Sequence, residues 1–212
     1  MSPRGVRIWD LPTRLFHGAL LLLVPALWAT HHWDWMDLHI LLGETMLGLI
    51  LFRLFWGMIG GSTARFAGFV RGPRAIADYL RGRAPARIGH NPIGAVSVVA
   101  LLLVLAVQIG LGLFASDEDG LNVGPLSHLV SFDTATTLAK RHETMFYVLL
   151  ALIVVHVAAV LFYLLVRRRD LVTPMITGCG AGEAEMAPAP LWRFLVSVVL
   201  AAALTWIVSN LL

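Results

Sequence analysis

Of the eight histidines in this 212-residue chain, four, His17, His39, His142 and His156, lie within or at the mouths of long apolar runs. Ionisable side chains at membrane depth are costly and mark functional sites by default; a histidine merely hydrogen-bonded between helices is the structural alternative for any one of them. Spacing argues for a joint role. His142 and His156 are 14 residues apart, which is about 21 Å along a helix with side-chain directions differing by only about 40°, so one face carries both. His17 stands near the start of the first run and His39 near the start of the second, at opposite ends of an antiparallel pair. Two depths result, with two histidines at each: His17 with His156, and His39 with His142. Two histidines facing each other across a bundle can hold a haem iron by both axial positions, whereas a closed zinc site needs four ligands at one point. Paired axial histidines with no open position favour electron transfer over oxygen chemistry. Two such haems at opposite faces make a wire across a bilayer.

Neighbouring residues fit this chemistry and also have plainer uses. Gly43, four residues after His39, clears the same helix face for a flat macrocycle or serves close helix packing. Arg53, 14 residues after His39, puts a cation at the inner depth, where it meets haem propionates or snorkels to the surface. Arg14, Lys140 and Arg141 are further propionate partners or interfacial anchors, while Glu44 and Gln108 line a quinone site or a proton route, or pair as structural groups. His31, 14 residues after His17, is a rival ligand that would let the first helix supply both depths. Against it, Pro25 lies between them as a kink and His31 stands beyond the apolar run. His32, His90 and His128 are expected at the surface or an interface.

The elements that must position these groups follow from composition. Hydrophobic residues are 58% and charged residues 14%, which excludes an ordinary soluble domain and a disordered chain. A single cysteine, Cys179, excludes an internal disulfide, a Cys-x-x-Cys-His haem attachment and a self-contained iron–sulfur cluster. The net charge of +3 and pI of 9.6 do not point to nucleic acid, because the basic residues fall in short blocks between apolar runs. Five runs are long enough to cross a bilayer: 15–30, 38–59, 93–115, 144–166 and 191–212. Asp10 and Pro12 form a helix-start signal for the first, which is not a secretory signal because an aromatic, His-rich segment follows it in place of a cleavage site. The N-terminal segment and the second and fourth connections carry twelve Lys and Arg, the first and third connections two. The N-terminus is therefore expected in the cytoplasm and the C-terminus outside. A basic amphipathic surface helix is expected over 73–81, an interfacial helix over 126–139, and a Gly- and Pro-rich flexible link over 179–190 that makes the fifth span look appended. Asp117, Glu118, Asp119 and Asp133 give the outer loop an acidic face suited to a basic docking partner.

Trp9-Asp10-Leu11-Pro12-Thr13-Arg14-Leu15-Phe16-His17, Leu38-His39-Ile40-Leu41-Leu42-Gly43 leading to Arg53-Leu54-Phe55-Trp56, His142, His156, and Asp170-Leu171-Val172-Thr173-Pro174-Met175-Ile176-Thr177-Gly178 together resemble the bacterial cytochrome b561 family. The likeness is closest to the branch holding the cytochrome b subunits of nickel–iron hydrogenases. It covers roughly residues 7–178 and implies an all-α integral membrane protein with a four-helix transmembrane bundle holding two b haems, here the domain 1–178; the linker over 179–190 and the fifth helix over 191–212, read from composition, lie outside that common bundle. It also implies axial ligation by His17, His39, His142 and His156, favouring His39 over His31. The implied work is electron transfer in the bacterial inner membrane between the quinone pool and a periplasmic c-type cytochrome or hydrogenase. A self-sufficient enzyme that oxidises superoxide and reduces quinone, and a haemless transporter or anchor with structural histidines, are the alternatives.

Overall fold

The computed structural model describes residues 5–83, 89–181 and 185–210; Arg4, Arg87 and Leu212, which enter the charge count and the last span, lie outside the described residues. A short strand β1 (Val6–Arg7) leads into helix α1 (Leu11–His32). The start of α1 is set as its residues dictate: Asp10 Oδ1 accepts from the Thr13 amide at 2.8 Å, and Pro12 in the first turn has no amide to leave unpaired. The helix then continues through Pro25 to His32, so the proline does not separate His31 from the bundle. Proline is tolerated inside membrane helices where neighbours re-satisfy the freed carbonyl. A turn at Asp34, with φ of 57°, feeds α2 (Met36–Ile59).

The arginine-rich connection folds into α3 (Phe66–Phe69) and α4 (Pro73–Leu80). The latter matches the expected surface helix, and its Tyr79 hydroxyl lies 2.6 Å from that of Tyr163. Next come α5 (Pro92–Leu113), capped by Asn91 on the Gly94 amide at 2.7 Å, a single turn at Ser127–Leu129, and α6 (Phe132–Leu165). No separate interfacial helix covers 126–139. Ser131 caps a continuous helix of 34 residues instead, about 51 Å long against a hydrocarbon core of about 30 Å, so its first turns stand clear of the bilayer. The chain closes with α7 (Val172–Thr177), β2 (Cys179–Gly180) and α8 (Leu191–Asn210).

Helices α1, α2, α5, α6 and α8 are long and apolar enough to cross a membrane, and side chains such as Leu22 and Val155 remain exposed on their outer faces. Helix α5 packs along α6, and α2 packs between α1 and α8. Phe16, Met46, Ile50, Leu105 and Leu149 meet at the middle of the bundle, an apolar waist between the two histidine depths. Helix α8 is not loosely appended: Ser197 and Ala201 are buried, Phe194 joins Phe52 and Trp56, and Arg193 donates to the Ile59 carbonyl at 3.2 Å. Small residues let the two helices approach closely. The stretch 179–190, expected as flexible, is tied on both sides of residues 182–184, which lie outside the described residues. β2 pairs antiparallel with β1, the Met186 amide donates to the Arg7 carbonyl at 2.8 Å, and Met186 is buried. The Ala187 amide donates to Ser62 Oγ at 2.9 Å.

The two ends of the family-like stretch touch. The Gly178 carbonyl accepts from the amides of Ile8 at 2.8 Å and Trp9 at 3.1 Å, and the Arg14 guanidinium donates to the carbonyls of Met175 and Ile176 at the end of α7. Gly178 has φ of +86°, and a Cβ there would come within 2.8 Å of the Arg14 guanidinium, so only glycine suits this cap. Asp10 joins α1 to α2 as well, because its Oδ2 accepts from the Trp56 indole at 3.1 Å. Asp10→Ala removes the cap, worth about 1 kcal/mol, and leaves a buried indole N–H unpaired at a cost of about 1–3 kcal/mol. Thermal unfolding of the purified protein in detergent is expected to show a loss of about 2–4 kcal/mol, while Asp10→Asn, with one acceptor oxygen in place of two, keeps the cap and still leaves the indole unpaired, a loss of about 1–3 kcal/mol.

Candidate functional site

At the end of the bundle where α2 and α6 bring their histidines together, the His39 and His142 rings stand with centroids 6.2 Å apart and planes at 86°. Each ring is fixed through Nδ1. His39 Nδ1 lies 2.9 Å from the Leu27 carbonyl and His142 Nδ1 lies 2.8 Å from the Gln108 carbonyl. A carbonyl can only accept, so Nδ1 carries the proton and Nε2 keeps its lone pair, the arrangement of a metal-ligating imidazole held by a backbone acceptor. Gly112 makes the His142 position possible, since a Cβ there would sit 2.9 Å from Cε1 of the ring. The Gln108 amide nitrogen, 3.2 Å from His142 Nε2, donates to that lone pair.

Both rings line a cavity of about 430 Å³, whose wall also includes His31, Gly43, Glu44 and Gln108. A Cβ added to Gly43 meets nothing within 4 Å, so this helix face is clear for a flat group. His31 also comes to the site: its ring centroid is 5.9 Å from that of His39, because α1 runs unbroken to His32. Among the described residues it has no carbonyl bond of the kind that fixes His39 and His142. His32 stacks on Trp28 and His128 is exposed, both as expected.

The other depth is built differently. His17 on α1 and His156 on α6 stand toward this end, and His156 Nδ1 lies 3.4 Å from Ser97 Oγ. A Cβ on Gly18 meets open space. Arg53 is only 2% exposed; its guanidinium lies over the Phe66 ring at 4.9 Å and its Nη1 has no hydrogen-bond partner. It does not snorkel to the surface. His90, expected at a surface or interface, is packed between Trp9 at 4.6 Å and Phe69 at 4.7 Å. Burial first, then the charges of Arg53, His156 and His17, push its imidazole down to about 4, so it is neutral at pH 7. Arg14 is taken up by the α7 carbonyls and Lys140 by Glu118 at 3.0 Å, which removes two of the expected propionate partners. Asp117 is likewise engaged, accepting from Leu121 and Asn122 of its own loop.

Sequence reasoning missed Gly112 and His90. A glycine 30 residues from its histidine leaves no local signal, and a surface or interface reading of His90 does not reveal its packing on Trp9 and Phe69. Taken together, paired imidazoles whose Nε2 atoms keep a lone pair, that of His142 now accepting from Gln108, a glycine-cleared face and a buried cation lacking an acceptor among the described residues make a donor set that fits haem.

A family model described as prokaryotic cytochrome b561 matches residues 8–178. Among curated proteins and among solved structures, nothing gives a significant match. The matched stretch begins beside the Asp10 cap and ends at the Gly178 cap, so it spans four membrane-length helices, of which α1, α2 and α6 carry the paired histidines. The chain is thus a member of the prokaryotic cytochrome b561 family, a multi-pass membrane b-type cytochrome of electron transfer.

Proposed function

We propose that the chain is a dihaem electron carrier linking the quinone pool to a redox partner on the outer side of the bacterial inner membrane, with residues 1–178 as the haem-bearing unit and α8 as its brace. The observation that carries this reading is the His39–His142 pair, with rings 6.2 Å apart and both Nδ1 atoms held by carbonyls. One metal ion with imidazole bonds of about 2 Å fits between such rings. His17 and His156 are the ligands at the inner depth, His39 and His142 at the outer. Gly43 clears room for the macrocycle, and Arg53 offers its guanidinium to propionate.

When bound, each haem iron supplies one-electron chemistry. The protein's own contribution is to fix both imidazoles of a pair, so that no axial position is left for oxygen, and to keep the apolar waist between the depths. Twelve positive residues on one side against two on the other support a cytoplasmic N-terminus and a periplasmic C-terminus. Asp119 and Asp133, acidic residues of the outer side without an ion pair among the described residues, suit the basic face of a c-type cytochrome or of a hydrogenase subunit.

Acid-acetone extraction of the purified protein is expected to give two haems b per chain; one haem would overturn the dihaem reading. His39→Ala and His142→Ala each remove the same haem, His17→Ala and His156→Ala the other, and His31→Ala spares both. Loss of a haem in His31→Ala with retention in His39→Ala would reassign the outer ligand to α1. Reporter fusions after Ile59 and Val166 should mark the cytoplasm, and fusions after Ala115 and at the C-terminus the outside. In proteoliposomes a quinol analogue should reduce the haems, and exchange with an outer-side c-type cytochrome or hydrogenase should be faster at low ionic strength. Haems that exchange electrons with neither quinol nor quinone would remove the quinone link.

A further inference from the structure

Five buried side-chain polar atoms lack a hydrogen-bond partner among the described residues, and three of them, Thr13 Oγ1, Arg53 Nη1 and His90 Nδ1, belong to the arginine-rich end of the bundle. Thr13 lies one turn before His17 on α1, so the two share a face. Arg53 is 14 residues from His39 on α2, which turns it toward the bundle interior at the depth of His17 and His156. A line of rings connects it to His90: Arg53 lies over Phe66, Phe66 packs on Phe69 at 5.8 Å, and Phe69 packs on His90 at 4.7 Å. Gly57 on α2 gives the Phe66 ring its place.

An unpaired buried donor costs about 1–3 kcal/mol, and more when charged, so three in one region call for a shared partner. Arg53 can only donate, His90 donates with its proton on Nδ1, and Thr13 can do either. The partner must therefore present acceptor oxygens, and the guanidinium asks that it be an anion. Asp10 accepts from the Thr13 amide and the Trp56 indole and, among the described residues, makes no ion pair with Arg53. His90 is half-buried, with its ring packed on Trp9 and Phe69 and its Nδ1 atom buried, at the end of the bundle where the inner ligands stand.

We infer that His90, Arg53 and Thr13 form a carboxylate-binding site that would hold a propionate of the haem ligated by His17 and His156. The site rests on the dihaem reading proposed above. It makes His90 a positioning residue that would act on the iron through the propionate. Donors to the propionate withdraw negative charge from the haem and favour the reduced iron. A phospholipid phosphate offers the same oxyanion chemistry and is distinguished by the test.

Spectroelectrochemical titration and resonance Raman spectra of the haem-loaded protein read the site directly, with the inner haem identified as the one lost in His17→Ala. In His90→Leu the reduction equilibrium constant of that haem is expected to fall up to tenfold, about 59 mV for one electron. Its propionate bending band should shift while the outer haem stays unchanged. His90→Gln, which keeps an amide donor, should recover part of both effects. Thr13→Val, which leaves the Asp10 cap intact, gives the same signature should His90→Leu fail to fold. Two haems present with neither potential nor propionate band moved in these variants overturns the site. A wild-type protein with one haem overturns the dihaem reading beneath it, a separate result. Exchange into vesicles with and without anionic phospholipid completes the test: a potential that follows anionic lipid while the propionate band ignores His90→Leu assigns the anion to lipid and overturns the proposal.

Discussion

Hydrocarbon offers no water to a polar group, so every imidazole, guanidinium and indole inside this bundle has to be satisfied by the protein or by what the protein binds. That constraint explains the geometry of the outer pair. The carbonyls of Leu27 and Gln108 take the Nδ1 protons of His39 and His142, and Gly112 gives up its side chain so that the His142 ring can reach α5. The same constraint acts on Asp10, whose two oxygens are both used, one closing the start of α1 and one holding Trp56 of α2. Where it is left unmet, at Arg53, Thr13 and His90, the protein is prepared for a group it does not itself supply.

Between the two depths lies the waist of Phe16, Met46, Ile50, Leu105 and Leu149. A hydrophobic plug of this kind supports two functions at once. It bonds the helices where no polar group can, and it keeps water and protons from crossing along a path that electrons are proposed to take. Helix α8 adds to the rigidity from outside, packing Ser197 and Ala201 against α2, the helix that carries His39 and Arg53 on one face. Bracing that helix fixes the register of both depths.

Much of this was legible in the residues. Apolar runs announced the spans, Asp10 with Pro12 announced the start of α1, and the 14-residue interval placed His142 and His156 on one face of α6. Tertiary events were not legible. Pro25 reads as an interruption, yet α1 passes through it and delivers His31 to the cavity. The glycines and prolines of 179–190 read as slack, yet backbone pairing with Val6 and Arg7 and burial of Met186 hold that stretch. His90 reads as a surface or interface residue, but the sequence does not name its neighbours there, Trp9 and Phe69, which lie distant in the chain.

The two ends of the bundle are unequal, and the inequality bears on how the molecule works. The outer pair opens on a cavity with His31, Glu44 and Gln108 at its wall, and the loop above it is stiffened by Asp117 and by the Glu118–Lys140 pair. The inner depth is capped by the start of α1, by α3, and by the Gly178 turn, with Trp9, Phe69 and His90 packed together beneath. Exchange with a large partner needs an approachable edge, which the outer end provides. A small lipid-soluble carrier needs only a path between helices, and such a path can end beside a closed site. In the proposed electron route, an open terminus at the His39–His142 end and a packed one at the other would suit a protein partner outside and a quinone within the bilayer, and the buried cation at the packed end would favour a reduced haem there by its charge alone.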